Sequence, residues 1–293
     1  MGSGLGHCPA HRKTPPMHLP TPWPYPRWIA HRGAGLLAPE NTLAAFRLGA
    51  RHGYRMFECD AKLSRDGVPF LLHDTTLERT TNSVQALGQA ASRTGGDHRW
   101  SALSRLDAGA WHSPGYAGEP LPTLENLARY CIANGFFLNL EIKPTPGLSA
   151  KTGQVVGAYA ARLWQGQPAQ PLLSSFHPEA LAGALATAPH LPRALLLDAL
   201  WDGCLDCARQ LGCAAIVCHH PLWEPALVAQ VNGQGMRTLS YTVNDEGAAR
   251  RLIDLGTDAI ITDRVDLFAP AAADRAPGSP AGLAVAGPDQ NQT

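Results

Sequence analysis

Glu58 and Asp60 stand two residues apart, and Asn139, Glu141 and Lys143 repeat that spacing in the run FFLNLEIK. Residues i and i+2 of a strand share a face, so these polar side chains point one way while Phe57, Cys59, Leu138, Leu140 and Ile142 point the other. Three carboxylates brought together in this manner repel unless a cation holds them, and all-oxygen ligation suits Mg²⁺, Ca²⁺ or Mn²⁺. The alternative is a buried ionic network with Arg and Lys.

His31-Arg32-Gly33 and His73 add a second kind of chemistry. A lone histidine is more often a packed core residue, but His31, Arg32, Glu58, Asp60, His73, Glu141 and Lys143 all fall at strand ends or on an arm beside them, which points to a shared site. Two histidines are the natural acid and base for a reaction that takes one proton and gives another. Arg32, Lys143 and a metal are what an anionic phosphoryl group needs, so the combination predicts cleavage of a phosphate ester.

The elements that must position these residues alternate along the chain. Short β-rich apolar runs predict strands over residues 28–31, 56–60, 136–142, 171–176, 193–197, 214–219, 237–243 and 259–262. Amphipathic patterns predict helices over 42–52, 124–134, 152–164, 178–187, 205–211, 225–232 and 246–255. Eight strands alternating with helices over about 240 residues match an α/β fold of the (β/α)8 TIM barrel type, which places catalytic groups at the C-terminal strand ends. An open doubly wound sheet is the runner-up, without a G-x-G-x-x-G turn to support its nucleotide-binding form.

Two segments depart from plain alternation. Residues 62–73 read as a hairpin turning at Arg65-Asp66-Gly67; pairing Ser64 with Gly67 sets Asp60 near Leu71 and Glu58 near His73. The segment 75–122 follows with Trp100 and Trp111 but no long periodic run, and predicts a small insertion capping the barrel mouth.

Composition bounds the remaining possibilities. The 24 basic and 24 acidic side chains balance, so no basic field draws nucleic acid or anionic lipid. No apolar run reaches the ~18 residues of a membrane span, and the proline-broken start lacks a secretory h-region, so the expected location is cytoplasmic, without stable membrane association. The odd count of seven cysteines fits reduced thiols better than a disulfide framework. Seven of the 25 prolines lie in the first 27 residues, and the ending is rich in Ala, Gly, Pro and Gln. Residues 1–22 and 270–293 are accordingly expected to be disordered tails around a domain at 23–269. His7, Cys8, His11 and His18 do not make a metal site on such a tail, and Met17 is an alternative start.

The motifs His31-Arg32-Gly33, Ala38-Pro39-Glu40-Asn41-Thr42, Glu58-Cys59-Asp60, His73-Asp74, Glu141-Ile142-Lys143-Pro144 and Tyr241-Thr242-Val243-Asn244 together resemble the glycerophosphodiester phosphodiesterase family. The similarity runs in order from about Trp23 to Phe268, and the WPYPR approach to the first strand is similar to that of cytosolic bacterial members associated with glycerol 3-phosphate uptake. The resemblance implies a TIM barrel with a small insertion and a divalent cation (Mg²⁺, Ca²⁺, Mn²⁺ or Co²⁺). The implied reaction is hydrolysis of glycerophosphodiesters, small deacylated phospholipids, to sn-glycerol 3-phosphate and an alcohol. It assigns catalysis to His31 and His73, metal binding to Glu58, Asp60 and Glu141, and phosphate contact to Arg32 and Lys143. Tyr241 stands where many members carry Trp.

Two rivals remain. A lysophospholipase D needs an apolar groove at the mouth, where the insertion offers only scattered residues such as Leu103, Leu106 and Trp111. A non-catalytic binding barrel is expected to have lost a ligand or a histidine, and none is lost here. Asn41 before Thr42 reads better as a helix N-cap than as a catalytic group, with Glu40 beside it. Cys204, Cys207, Cys213 and Cys218 suggest core packing rather than zinc.

Overall fold

The computed structural model describes residues 23–268 and Pro270. The remainder of both expected tails, with His7, Cys8, His11, His18 and Met17, lies outside the described residues.

Nine strands form one sheet: β1 (Trp28–Ala30), β2 (Met56–Leu63), β3 (Pro69–Leu71), β4 (Phe137–Ile142), β5 (Leu172–Ser175), β6 (Arg193–Leu197), β7 (Ala215–His219), β8 (Arg237–Tyr241) and β9 (Ala259–Thr262). Their order is β1-β9-β8-β7-β6-β5-β4-β2-β3, and the additional β1–β2 pairing closes eight parallel strands into a barrel. Only β3 is antiparallel, hanging on β2 as an outer arm. This is the (β/α)8 architecture expected.

Seven helices occupy the crossovers: α1 (Leu43–Arg51), then α4 (Leu124–Asn134), α5 (Ser149–Leu163), α6 (Pro178–Thr187), α7 (Cys204–Gln210), α8 (Pro225–Gly233) and α9 (Glu246–Asp254). Between α1 and α4, the insertion carries two short helices, α2 (Ser83–Leu87) and α3 (Trp100–Leu103), which no periodicity announces. Side-chain caps start the helices where the local chemistry supplies them. Thr123 and Asn126 form a reciprocal capping box on α4, and Asp245 accepts from the Ala248 N–H on α9. Gly135, in the left-handed region at φ +64°, ends α4.

Strand alternation sorts the core. Ala30, Phe57, Cys59, Leu138 and Leu140 pack with helix side chains such as Phe46, Leu127 and Val156 in one apolar layer. The opposite faces contribute Ile29, Met56, Leu172, Ala194, Val217, Leu239 and Ile261 to a second cluster that includes Tyr25. Along β2 the same inward face reads Met56, Glu58, Asp60, so the barrel is apolar at its N-terminal end and ionic at its C-terminal end. Cys204, Cys207, Cys213 and Cys218 are buried in an apolar cluster with Trp223 and Leu227, consistent with packing.

The hairpin register differs from expectation by one residue. Ala61, not Asp60, pairs with Leu71, and the Leu72 N–H donates to the Asp60 carbonyl at 3.0 Å. The turn has three residues rather than two: the Ser64 N–H bonds the Val68 carbonyl, and Gly67 takes φ +81°. The arm nonetheless returns toward the barrel mouth. Phe70, Leu72, Leu77, Leu103, Leu106 and Leu121 form a separate apolar cluster, so the insertion has its own small core built on the hairpin.

Candidate active site

Strands β1 and β9 run side by side, and the His31 N–H donates to the Thr262 carbonyl at 3.0 Å. Their next residues therefore meet at the mouth. His31 Nδ1 lies 2.6 Å from Asp263 Oδ1, while Asp263 Oδ2 accepts from Asn244 Nδ2 at 2.9 Å. A carboxylate against Nδ1 places the ring proton there and leaves Nε2 as the basic nitrogen, 3.7 Å from Glu58 Oε2. His73 repeats the device from the arm, with Nδ1 2.7 Å from Asp74 Oδ1. Burial, with Arg32 and Lys143, pushes the His73 imidazole below its ordinary value against the pull of Asp60 and Asp74.

The carboxylates come from adjacent strands in register. Asp60 pairs with Glu141, and Glu58 with Asn139. One oxygen from each of Glu58, Asp60 and Glu141 lies within 4.8 Å of the other two. Burial, then the charges of Asp60 and Glu141, holds the Glu58 carboxyl well above the usual range, against Arg32. Burial and Asp60 push Glu141 up to about 7, against Lys143. Asp60 is held low: although burial opposes ionisation, Lys143, Arg32, His73 and a hydrogen bond from Asn41 prevail. Glu58 Oε1 is buried and accepts no hydrogen bond from the described residues. Three crowded carboxylates with an unsatisfied buried oxygen fit a hard divalent cation.

The two cations flank this triad. The Arg32 N–H donates to Glu58 Oε2 at 3.0 Å from a left-handed backbone at φ +49°, and its Nε lies 3.5 Å from Asp60 Oδ2. Lys143 Nζ lies 3.1 Å from Glu141 Oε1 and 3.5 Å from Asp60 Oδ1. A cavity of about 190 Å³ joins these groups. His31, Arg32, Glu58, His73, Glu141 and Lys143 line one part of it, and Phe176, Leu196, Tyr241 and Ile261 supply an apolar wall. Asp60 is buried beside them and does not line the cavity.

The arrangement offers two oriented proton carriers, two fixed positive charges and an oxygen-rich cation site around one small volume. Those are the parts of phosphodiester chemistry, and comparison with known proteins supplies the family. The profile of the glycerophosphoryl diester phosphodiesterase family matches residues 31–267. This chain belongs to that family. It is thus an enzyme, a phosphoric diester hydrolase. The phosphodiesterase is 30% identical over 242 residues to a glycerophosphodiester phosphodiesterase of Caldanaerobacter subterraneus subsp. tengcongensis, covering 80% of this chain and 93% of that one. It is 28% identical over 255 residues to a Bacillus subtilis glycerophosphodiester phosphodiesterase, covering 82% of this chain and 84% of that one. Among solved structures, it resembles an Oleispira antarctica phosphodiesterase in complex with the product sn-glycerol-3-phosphate. The TM-score is 0.73 at 32% identity, covering 81% of this chain and 93% of that chain.

Every site residue expected from the sequence of this phosphodiesterase reaches the same end of the barrel. The reading of Asn41 as an N-cap does not hold. Thr42 is the cap of α1, accepting from the Ala45 N–H, whereas buried Asn41 takes φ +60° and bonds Asp60. Glu40 likewise plays no capping part, because its carboxylate bridges Arg32 and Arg79. Asp263 was missed, although it directly follows the last barrel strand by the rule that selects His31. Asp74 carries a signal only in its adjacency to His73, and Arg79 carries none.

Proposed function

We propose that this phosphodiesterase hydrolyses glycerophosphodiesters to sn-glycerol 3-phosphate and an alcohol. In this reading Glu58, Asp60 and Glu141 hold a divalent cation. The observation that carries it is the single cavity lined by both histidines, both cations, Glu58 and Glu141. At about 190 Å³ it lies below the ~300–1,000 Å³ of drug-sized ligand sites and suits a small polar diester rather than an acyl chain.

Asp263 and Asp74 keep the Nδ1 protons of His31 and His73, so each ring works through Nε2. One histidine takes the proton of the nucleophile, and the other protonates the departing alkoxide. Arg32 and Lys143 bind the phosphoryl group and stabilise the charge that grows on its oxygens. A bound cation supplies Lewis-acid polarisation of a phosphoryl oxygen. The buried thiols of Cys59, Cys131, Cys204 and Cys218 suit a reducing compartment, and this reading places the enzyme in the cytoplasm with a barrel domain at 23–269. Among the described residues, no helix is long and apolar enough to cross a membrane.

An assay of glycerophosphocholine, glycerophosphoethanolamine and lysophosphatidylcholine, each with and without EDTA, tests the proposal. The glycerol diesters are expected to be turned over within about 100-fold of one another in kcat/KM, a spread under ~3 kcal/mol. Lysophosphatidylcholine as the best substrate overturns the reading in favour of a lysophospholipase D. Binding of every diester without turnover overturns it in favour of an inert barrel.

A further inference from the structure

Arg79 lies in the insertion, outside any helix or strand, yet all three nitrogens of its guanidinium donate hydrogen bonds at the mouth. Nε donates to Asp74 Oδ2 at 2.6 Å and NH2 to Asp74 Oδ1 at 3.0 Å. On its other edge, NH1 donates to Glu40 Oε2 at 2.7 Å and NH2 to Glu40 Oε1 at 2.8 Å. Glu40 in turn accepts from Arg32 NH1 at 3.0 Å, and Asp74 holds His73 Nδ1 at 2.7 Å. Alternating charges thus run from Arg32 through Glu40 and Arg79 to Asp74, the carboxylate that holds His73. A planar fork grips two carboxylates at once in a way a point charge cannot.

The insertion fixes Arg79 from behind. The Leu77 N–H donates to the Arg93 carbonyl, Thr81 Oγ1 donates to the Leu77 carbonyl, and Leu77 is buried in the insertion's own core. His73 follows the short arm strand β3 rather than a strand of the closed barrel, so its place relies on side-chain restraints more than that of His31 does.

We propose that Arg79 is a positioning residue for His73, acting through Asp74, and that the insertion is through it a working part of the active site. The proposal rests on the function proposed above. Asp74 with both oxygens gripped by Arg79 keeps one orientation, and the His73 ring follows it. Without Arg79, Asp74 turns to water and the ring loses its fixed tautomer and aim.

The test uses the full chain loaded with Mg²⁺ and glycerophosphocholine as substrate. Arg79→Met is expected to lower kcat about 10-fold or more, on the scale of misplaced acid–base groups, with KM changed by less than about threefold. Arg79→Lys is expected to recover only part of that loss. In an Asp74→Asn background, Arg79→Met is expected to have little further effect, because the two residues act in series. Equal losses in both backgrounds, or a rise in KM with kcat kept, overturn the proposal. A long-range ¹H–¹⁵N spectrum at pH 8, with the His73 signals assigned through His73→Gln, reads the ring without turnover. A single Nδ1–H tautomer in wild type should become a mixture in Arg79→Met, and an unchanged tautomer overturns the proposal. An inactive wild type whose tautomer still depends on Arg79 sinks the proposed substrate class and leaves the positioning role standing.

Discussion

Asn41 grips Asp60 at two points: its Nδ2 donates to Asp60 Oδ2 at 2.7 Å, and its Oδ1 accepts the Asp60 N–H at 3.0 Å. Both residues are buried, and the left-handed backbone of Asn41 at φ +60° turns its amide onto the strand. A carboxamide that orients a metal carboxylate is worth about 10- to 100-fold in cation affinity. Asn41→Ala is therefore expected to weaken Mg²⁺ or Mn²⁺ binding by about that factor, read by titration calorimetry. Asn41→Gly suits the same backbone and separates the two effects: affinity restored by glycine would show that backbone strain, not the amide, is responsible.

The carboxylate triad predicts that EDTA abolishes turnover and that Mg²⁺, Mn²⁺, Co²⁺ or Ca²⁺ restores it to differing degrees. Glu58→Gln and Glu141→Gln should each leave little activity at any tested cation concentration. Full activity in a preparation shown by elemental analysis to be metal-free removes the cation from the mechanism.

Cation binding should be pH-dependent. Glu58 lies well above the ordinary carboxylate range and Glu141 at about 7, so the metal-free site holds protons that a cation must displace. Affinity should accordingly strengthen from pH 6 to pH 8. Calorimetry in two buffers of different ionisation enthalpy should detect proton release at pH 6. A raised folded-state value also stabilises the metal-free fold below the unfolded value of 4.5, and that contribution disappears as pH rises through about 7. Wild type should therefore lose stability relative to Glu141→Gln across that window.

His31→Ala and His73→Ala should each lower kcat by about 10²-fold or more with an unchanged far-UV circular dichroism spectrum. Asp263→Asn should lower kcat by at least about 10-fold through the wrong tautomer of His31, leaving the ring in place. Near-normal turnover in Asp263→Asn would leave His31 oriented by the barrel backbone alone.

The order of the barrel, the face carrying Glu58, Asp60 and Glu141, and the convergence of those residues with His31, His73, Arg32 and Lys143 were all legible in the chain. The reason is periodic: alternation assigns faces on a strand, and barrel geometry assigns function to strand ends. Local turn chemistry was less decisive. A Gly67 at φ +81° makes the hairpin turn one residue longer than the dipeptide pattern suggests, and Asn41, which has the composition of a cap, leaves that task to Thr42. Folding alone brings His31 its orienting carboxylate and sets Arg79 against Glu40. Asp263 is 232 positions from His31, and Glu40 is 39 from Arg79. Pairs so far apart leave no local pattern, because their contact depends on how the sheet closes and how the insertion packs, not on the spacing of either residue.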